Sequence, residues 1–121
     1  MSRKYSITGS FGFAFNGLKT AFKKEPNFRL HLITAFLVFL AAYLLKFTLL
    51  EWLILTLTVF LVIIFELFNT SLEAIVDLVS PEIKPQAKIA KDVSAAAVLL
   101  TALFAIIVGA LLFVPKLINF L

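Results

Sequence analysis

Three long apolar runs divide the chain: Leu30 to Leu45, Leu50 to Phe68 and Val93 to Val114. A membrane-spanning helix needs about 20 predominantly apolar residues, so each run supplies most of one span, the first with help from its flanks. A different pattern precedes them. Phe11, Phe15, Leu18 and Phe22 recur at helical spacing, while Asn16, Lys19, Thr20 and Lys23 occupy the opposite side. That spacing predicts an amphipathic helix over about 8–25 lying on the membrane surface, with Phe13 the one residue off the pattern. Pro26 is expected to end or kink it before the first span.

The second run does not stop where its hydrophobicity stops. Glu66 to Ser80 continues at helical period up to Ser80-Pro81, which predicts a helix that runs past the bilayer into water. Pro81 and Pro85 then bracket a short turn, and a further helix restarts near Gln86. The expectation is one all-α membrane domain over residues 1–121, with the surface helix followed by spanning helices over about 29–47, 50–80 and 86–117.

Composition agrees and narrows the function. The 121 residues are 62% hydrophobic and 15% charged, with a mean hydropathy of +1.07, which excludes an ordinary soluble domain and a disordered tail. With no cysteine, thiolate metal sites, disulfides and cysteine nucleophiles are excluded together. The chain is too short for a separate soluble nucleotide-binding domain, so any chemistry must be built on the membrane helices. No cleavable signal is expected, since the first apolar run starts only near Leu30.

The net charge of +4 raises nucleic acid as a partner, but the placement of the cations answers otherwise. Arg3, Lys4, Lys19, Lys23, Lys24 and Arg29 precede the first run, and Lys84, Lys88 and Lys91 lie between the second and third. Only Lys46 and Lys116 stand elsewhere. This is the positive-inside pattern, and it puts the N-terminus and the 81–91 loop in the cytoplasm. Tyr43 and Trp52 flank the outer turn, where amphipathic rings act as anchors.

The chemistry concentrates in Glu66-Leu-Phe-Asn69-Thr70-Ser71-Leu-Glu73-Ala-Ile-Val-Asp77. At about 100° per residue, Glu66, Asn69, Glu73 and Asp77 share one stripe, with Thr70 at its edge. If the helix enters the bilayer near Leu50 to Trp52, Glu66 lies roughly 21–24 Å along it at 1.5 Å per residue. Glu66 therefore sits near the inner boundary of a hydrocarbon core about 30 Å thick, with Glu73 and Asp77 in the headgroup and water layer. An acid held there is costly and marks a functional site by default, more so than helix-gluing polar residues. Lys84, Lys88, Lys91 and Asp92 begin the next helix on the same side, where lysines can hold phosphate and paired carboxylates can hold Mg²⁺.

Other features read more plainly. His31 opens the first span and reads equally as a snorkelling interface residue or as a ligand, although a single His makes no metal site, and Ser94 to Ala97 form a small-residue packing surface. Gly12-Phe-Ala-Phe-Asn-Gly17-Leu-Lys19-Thr20 is a phosphate-loop look-alike with its lysine displaced by one position and no preceding strand. Periodicity alone points to a membrane site with kinase-like ingredients and does not name the reaction. An intramembrane acid is also what a proton- or ion-carrying subunit needs.

The string Glu66-x-x-Asn69-Thr70-x-x-Glu73-Ala74-x-Val76-Asp77, followed by Ala87-Lys88-x-Ala90-Lys91-Asp92 and Ala96-Ala97-Val98-Leu99, resembles the prokaryotic diacylglycerol kinase family over nearly the full chain. Gly17-Leu18 and Glu25-x-x-Phe28-Arg29 fit the same pattern. The resemblance implies an ATP- and Mg²⁺-dependent lipid kinase of the bacterial inner membrane, a homotrimer of three-span subunits with active sites shared between neighbours. It implies Glu66 as the base for the lipid hydroxyl, Asn69 beside the base, and Glu25 and Glu73 as metal ligands. It turns Glu82, Lys84, Lys91 and Asp92 toward the nucleotide.

Within the family, Asn27-Phe28-Arg29-Leu30-His31 and Ile83 to Val93 look most like the undecaprenol kinases of Gram-positive bacteria, with diacylglycerol as the alternative substrate. Two positions depart from the pattern. Ser71 stands where alanine is usual, and Lys84 stands where histidine is common.

Overall fold

The computed structural model describes residues 6–121; Arg3 and Lys4 lie outside them. Four helices follow one another: α1 (Ile7–Lys24), α2 (Pro26–Leu44), α3 (Leu49–Val79) and α4 (Pro85–Phe120). Among the described residues there is no strand.

Each helix boundary has a local cause. The Ser6 hydroxyl accepts from the Gly9 amide and opens α1. Glu25 is extended and serves both as the last cap of α1 and the first of α2. Pro26 follows at the first turn of α2, where its fixed φ is already helical and its missing N–H is no loss. The first span therefore opens at Pro26 rather than near residue 29. It ends in a Schellman arrangement: the Phe47 amide donates to the Ala42 carbonyl, the Lys46 amide to that of Tyr43, and Lys46 takes φ +56°. Thr48 and Glu51 then form a reciprocal capping box that starts α3. Pro85 repeats the proline opening at α4.

Lengths set the architecture. At 1.5 Å per residue the 31 residues of α3 span about 46 Å and the 36 of α4 about 54 Å, both well beyond a hydrocarbon core of about 30 Å. α2, α3 and α4 are each long and apolar enough to cross a membrane, and the chain is an all-α membrane protein. α3 packs along α4 and also carries α2, while α1 touches α2. Because the connections are short, successive spans run antiparallel.

The apolar core lies at the end of the bundle near the α2–α3 turn. Ala42, Phe47, Leu55 and Leu112 are buried there, with Phe39, Trp52 and Phe113 packed around them. The Phe47 and Phe113 ring centres are 4.8 Å apart, and Phe39 stacks on Trp52 at 6.0 Å. Trp52 is thus a packing residue as much as an anchor, whereas Tyr43 is exposed. Lys116 closes this end: its ammonium is 3.0 Å from the Glu51 carboxylate and lies over the Phe47 ring. Most large apolar side chains elsewhere face outward, including Phe11, Phe15, Leu18 and Phe22 on α1. This is the distribution expected of a protein solvated by lipid.

Candidate active site

The buried residues of α3 are Leu55, Thr58, Val62 and Glu66, spaced three or four apart on one stripe. Asn69, Glu73 and Asp77 continue that same spacing. The face that packs against the rest of the chain is therefore a single line. Apart from Thr58, whose hydroxyl donates to the Ile54 carbonyl, it is apolar through the span, and it turns acidic at Glu66.

Glu66 is 4% exposed. Its nearest ionisable neighbour is His31 of α2, whose Nδ1 stands 3.3 Å from Glu66 Oε1. The charges of Glu25, at the α1–α2 hinge, and of Glu73, about two turns further along α3, also act on it. Thr70 donates its hydroxyl to the Glu66 backbone carbonyl at 3.0 Å and leaves the carboxylate alone.

Beyond Glu66 the polar groups are wired in series. Asn69 Nδ2 donates to Glu73 Oε1 at 2.6 Å, and Ser94 of α4 donates to Asn69 Oδ1 at 2.7 Å. Asn69 thus orients Glu73, and among the described residues its side-chain hydrogen bonds go to Glu73 and Ser94. Ser94, expected only to pack, is the residue that fixes which way the Asn69 amide faces. Lys91 reaches across from α4 to Asp77. Antiparallel pairing explains the order: 77 with 91, then 69 with 94, and at the far end 51 with 116.

The remaining predicted residues are less concentrated. Lys91 and Asp92 are adjacent on α4 and so point about 100° apart; Asp92 pairs with Lys88 on its own helix, away from α3. Glu82 and Lys84 are exposed in the α3–α4 loop, where the Glu82 carbonyl accepts from Ser80 and Lys84 precedes α4. Arg29, two residues from His31, donates to the Phe22 and Lys23 carbonyls at the end of α1. That contact fixes the surface helix to the first span and places Glu25 at the hinge.

An apolar cavity of about 360 Å³ opens between α2, α3 and α4. His31 lines one end of it and Phe113 the other. No group of three or more His, Cys, Asp or Glu gathers among the described residues.

Fold and site together define a three-span membrane protein with acids, an amide and lysines gathered at one end of its helices. The chain belongs to the prokaryotic diacylglycerol kinase family, a family of membrane lipid kinases, whose model matches residues 12–113. It is 46% identical to a diacylglycerol kinase of Synechocystis over 91% of this chain and 63% of that protein, so it spans less than two thirds of that relative's length. It is 37% identical to an undecaprenol kinase of Bacillus subtilis over 89% of this chain and 88% of that one. It is 32% identical to a diacylglycerol kinase of Escherichia coli over 88% and 87%.

Proposed function

We propose that the protein transfers the γ-phosphate of ATP to the hydroxyl of a membrane lipid alcohol, with undecaprenol as the substrate and undecaprenyl phosphate as the product. The observation that carries this reading is the buried Glu66 at the head of a polar line that leaves the span. A carboxylate there meets a hydroxyl held at the lipid boundary, while the groups beyond it meet a water-soluble donor. The hydroxyl oxygen attacks the γ-phosphorus, the bond to the β-phosphate oxygen breaks, ADP leaves, and Glu66 takes the hydroxyl proton.

Glu25 and Glu73 fit a Mg²⁺ site in chemistry. Mg²⁺ takes one or two carboxylates and completes its shell with phosphate oxygens and water, and the charges of both acids act on Glu66. Asn69 and Ser94 hold Glu73 in place. When bound, the ion would neutralise charge on the transferring phosphate. Lys91 and Asp92, with Glu82 and Lys84 in the loop, are the nucleotide-facing residues. Lys91 and Asp92 diverge within one chain, which favours sites completed by a neighbouring copy, as in a homotrimer. The positive-inside bias of the cations puts this end, and the N-terminus, on the cytoplasmic side.

Support for undecaprenol comes from the Bacillus subtilis undecaprenol kinase, matched over 88% of its length. Diacylglycerol is the alternative, favoured by the name of the Synechocystis relative. The proton-carrying reading loses its ground: the acid line continues to the lysines of α4, and the family is one of kinases. The test is a panel of lipid alcohols presented to the protein in lipid vesicles with radiolabelled ATP and Mg²⁺. Label should pass to undecaprenol faster than to diacylglycerol. The opposite order would move the assignment to diacylglycerol, and no transfer to any alcohol would defeat the kinase reading.

A further inference from the structure

A carboxylate that accepts a proton in each turnover must also lose it, and Glu66 is badly placed to do so alone. Its side chain is 5% exposed, against 23% for the adjoining His31. Asn69 is committed to Glu73 and Ser94, and the Thr70 hydroxyl is turned to the backbone. His31 Nδ1, by contrast, is buried and has no hydrogen-bond partner among the described residues, although it stands 3.3 Å from Glu66 Oε1. A buried, unsatisfied ring nitrogen calls for an explanation in the function of the site. Besides His31, the charged groups acting on Glu66 are Glu25 from the α1–α2 hinge and Glu73 from α3.

Resting on the kinase reading above, we infer that His31 is a positioning residue that orients Glu66 and relays its proton outward. As the lipid oxygen bonds to phosphorus and ADP leaves, the hydroxyl proton passes to Glu66 and then, after a small ring rotation, to His31 Nδ1. The imidazolium so formed releases its Nε2 proton to water, and a ring flip then presents the proton-free nitrogen to Glu66 again, so that both groups return to their starting state. No further reactant is needed. Imidazole suits the task because either of its two ring nitrogens can carry the proton.

The experiment uses the full chain in lipid vesicles with Mg²⁺, ATP and the lipid alcohol, comparing wild type with His31→Gln and His31→Ala. Both variants should lose roughly tenfold or more in kcat, within the range of acid–base contributions, with KM for ATP and for lipid unchanged. Free imidazole should restore kcat in His31→Ala, because the cavity that His31 lines, about 360 Å³, admits it once the ring is gone. His31→Gln guards against misfolding, since it keeps side-chain bulk without a titratable nitrogen. Wild-type kcat in either variant, or a loss in folded His31→Ala that imidazole leaves in place, would overturn the relay while leaving the kinase intact. Absence of phosphorylation by the wild type would remove both readings.

Discussion

Glu66 and Asn69 share a stripe but do different work, and two substitutions separate them. Glu66→Gln keeps volume and hydrogen-bonding atoms while removing the proton acceptor. It should lower kcat by at least 10²-fold, the usual scale of general-base loss, with ATP binding retained in a filter-binding or calorimetric measurement. Asn69→Ala removes the amide that holds Glu73, an indirect change for the metal. The Mg²⁺ concentration at half-maximal activity should rise by roughly 10–100-fold, as when a partner of a metal ligand is lost, with activity recovering at high Mg²⁺. The stripe itself was legible in the sequence because helical period is a local property. Its wiring was not: Asn69 lies within reach of Glu66, Thr70 and Glu73 alike, and only the hydroxyl arriving from Ser94 decides between them.

Among the elements, α3 carries the most. It starts at a capping box, packs along its whole length and ends in the acid line, so its start determines the register of everything after it. Thr48→Ala removes the side-chain acceptor for the Glu51 amide. It should lower stability by about 1 kcal/mol, the typical value of a lost N-cap, read as a fall in thermal midpoint in detergent with activity at low temperature preserved. The helix pairing is fastened at both ends, by Glu51 with Lys116 and by Asp77 with Lys91, with the Ser94–Asn69 hydrogen bond and apolar packing between. Sequence reading found the helices because uninterrupted apolar runs and proline punctuation are strong local signals. The pairing of Lys116 with Glu51 is not legible there, since a partner 65 residues away along the chain leaves no mark on local pattern.

For the molecule as a whole, the proposal that neighbouring copies complete the site has a direct test. Lys91 and Asp92 diverge on α4, and large apolar side chains remain uncovered along all three spans. If neighbouring copies share sites, co-expressing Glu66→Gln with Lys91→Ala, each inactive alone, should restore a measurable fraction of wild-type transfer. Strictly additive inactivity would confine each site to one subunit.

What the sequence determined by itself was the solvent and the class of structure: lipid around three helices, a surface helix before them, and a line of acids where the second span leaves its apolar stretch. Those follow from hydrophobicity and the 3.6-residue period, which act on each segment separately. The tertiary structure alone decided that His31 stands beside Glu66, that Ser94 fixes Asn69, and that Lys91 meets Asp77. Such contacts depend on the register between helices, which is set by caps, turns and packing summed over the whole fold.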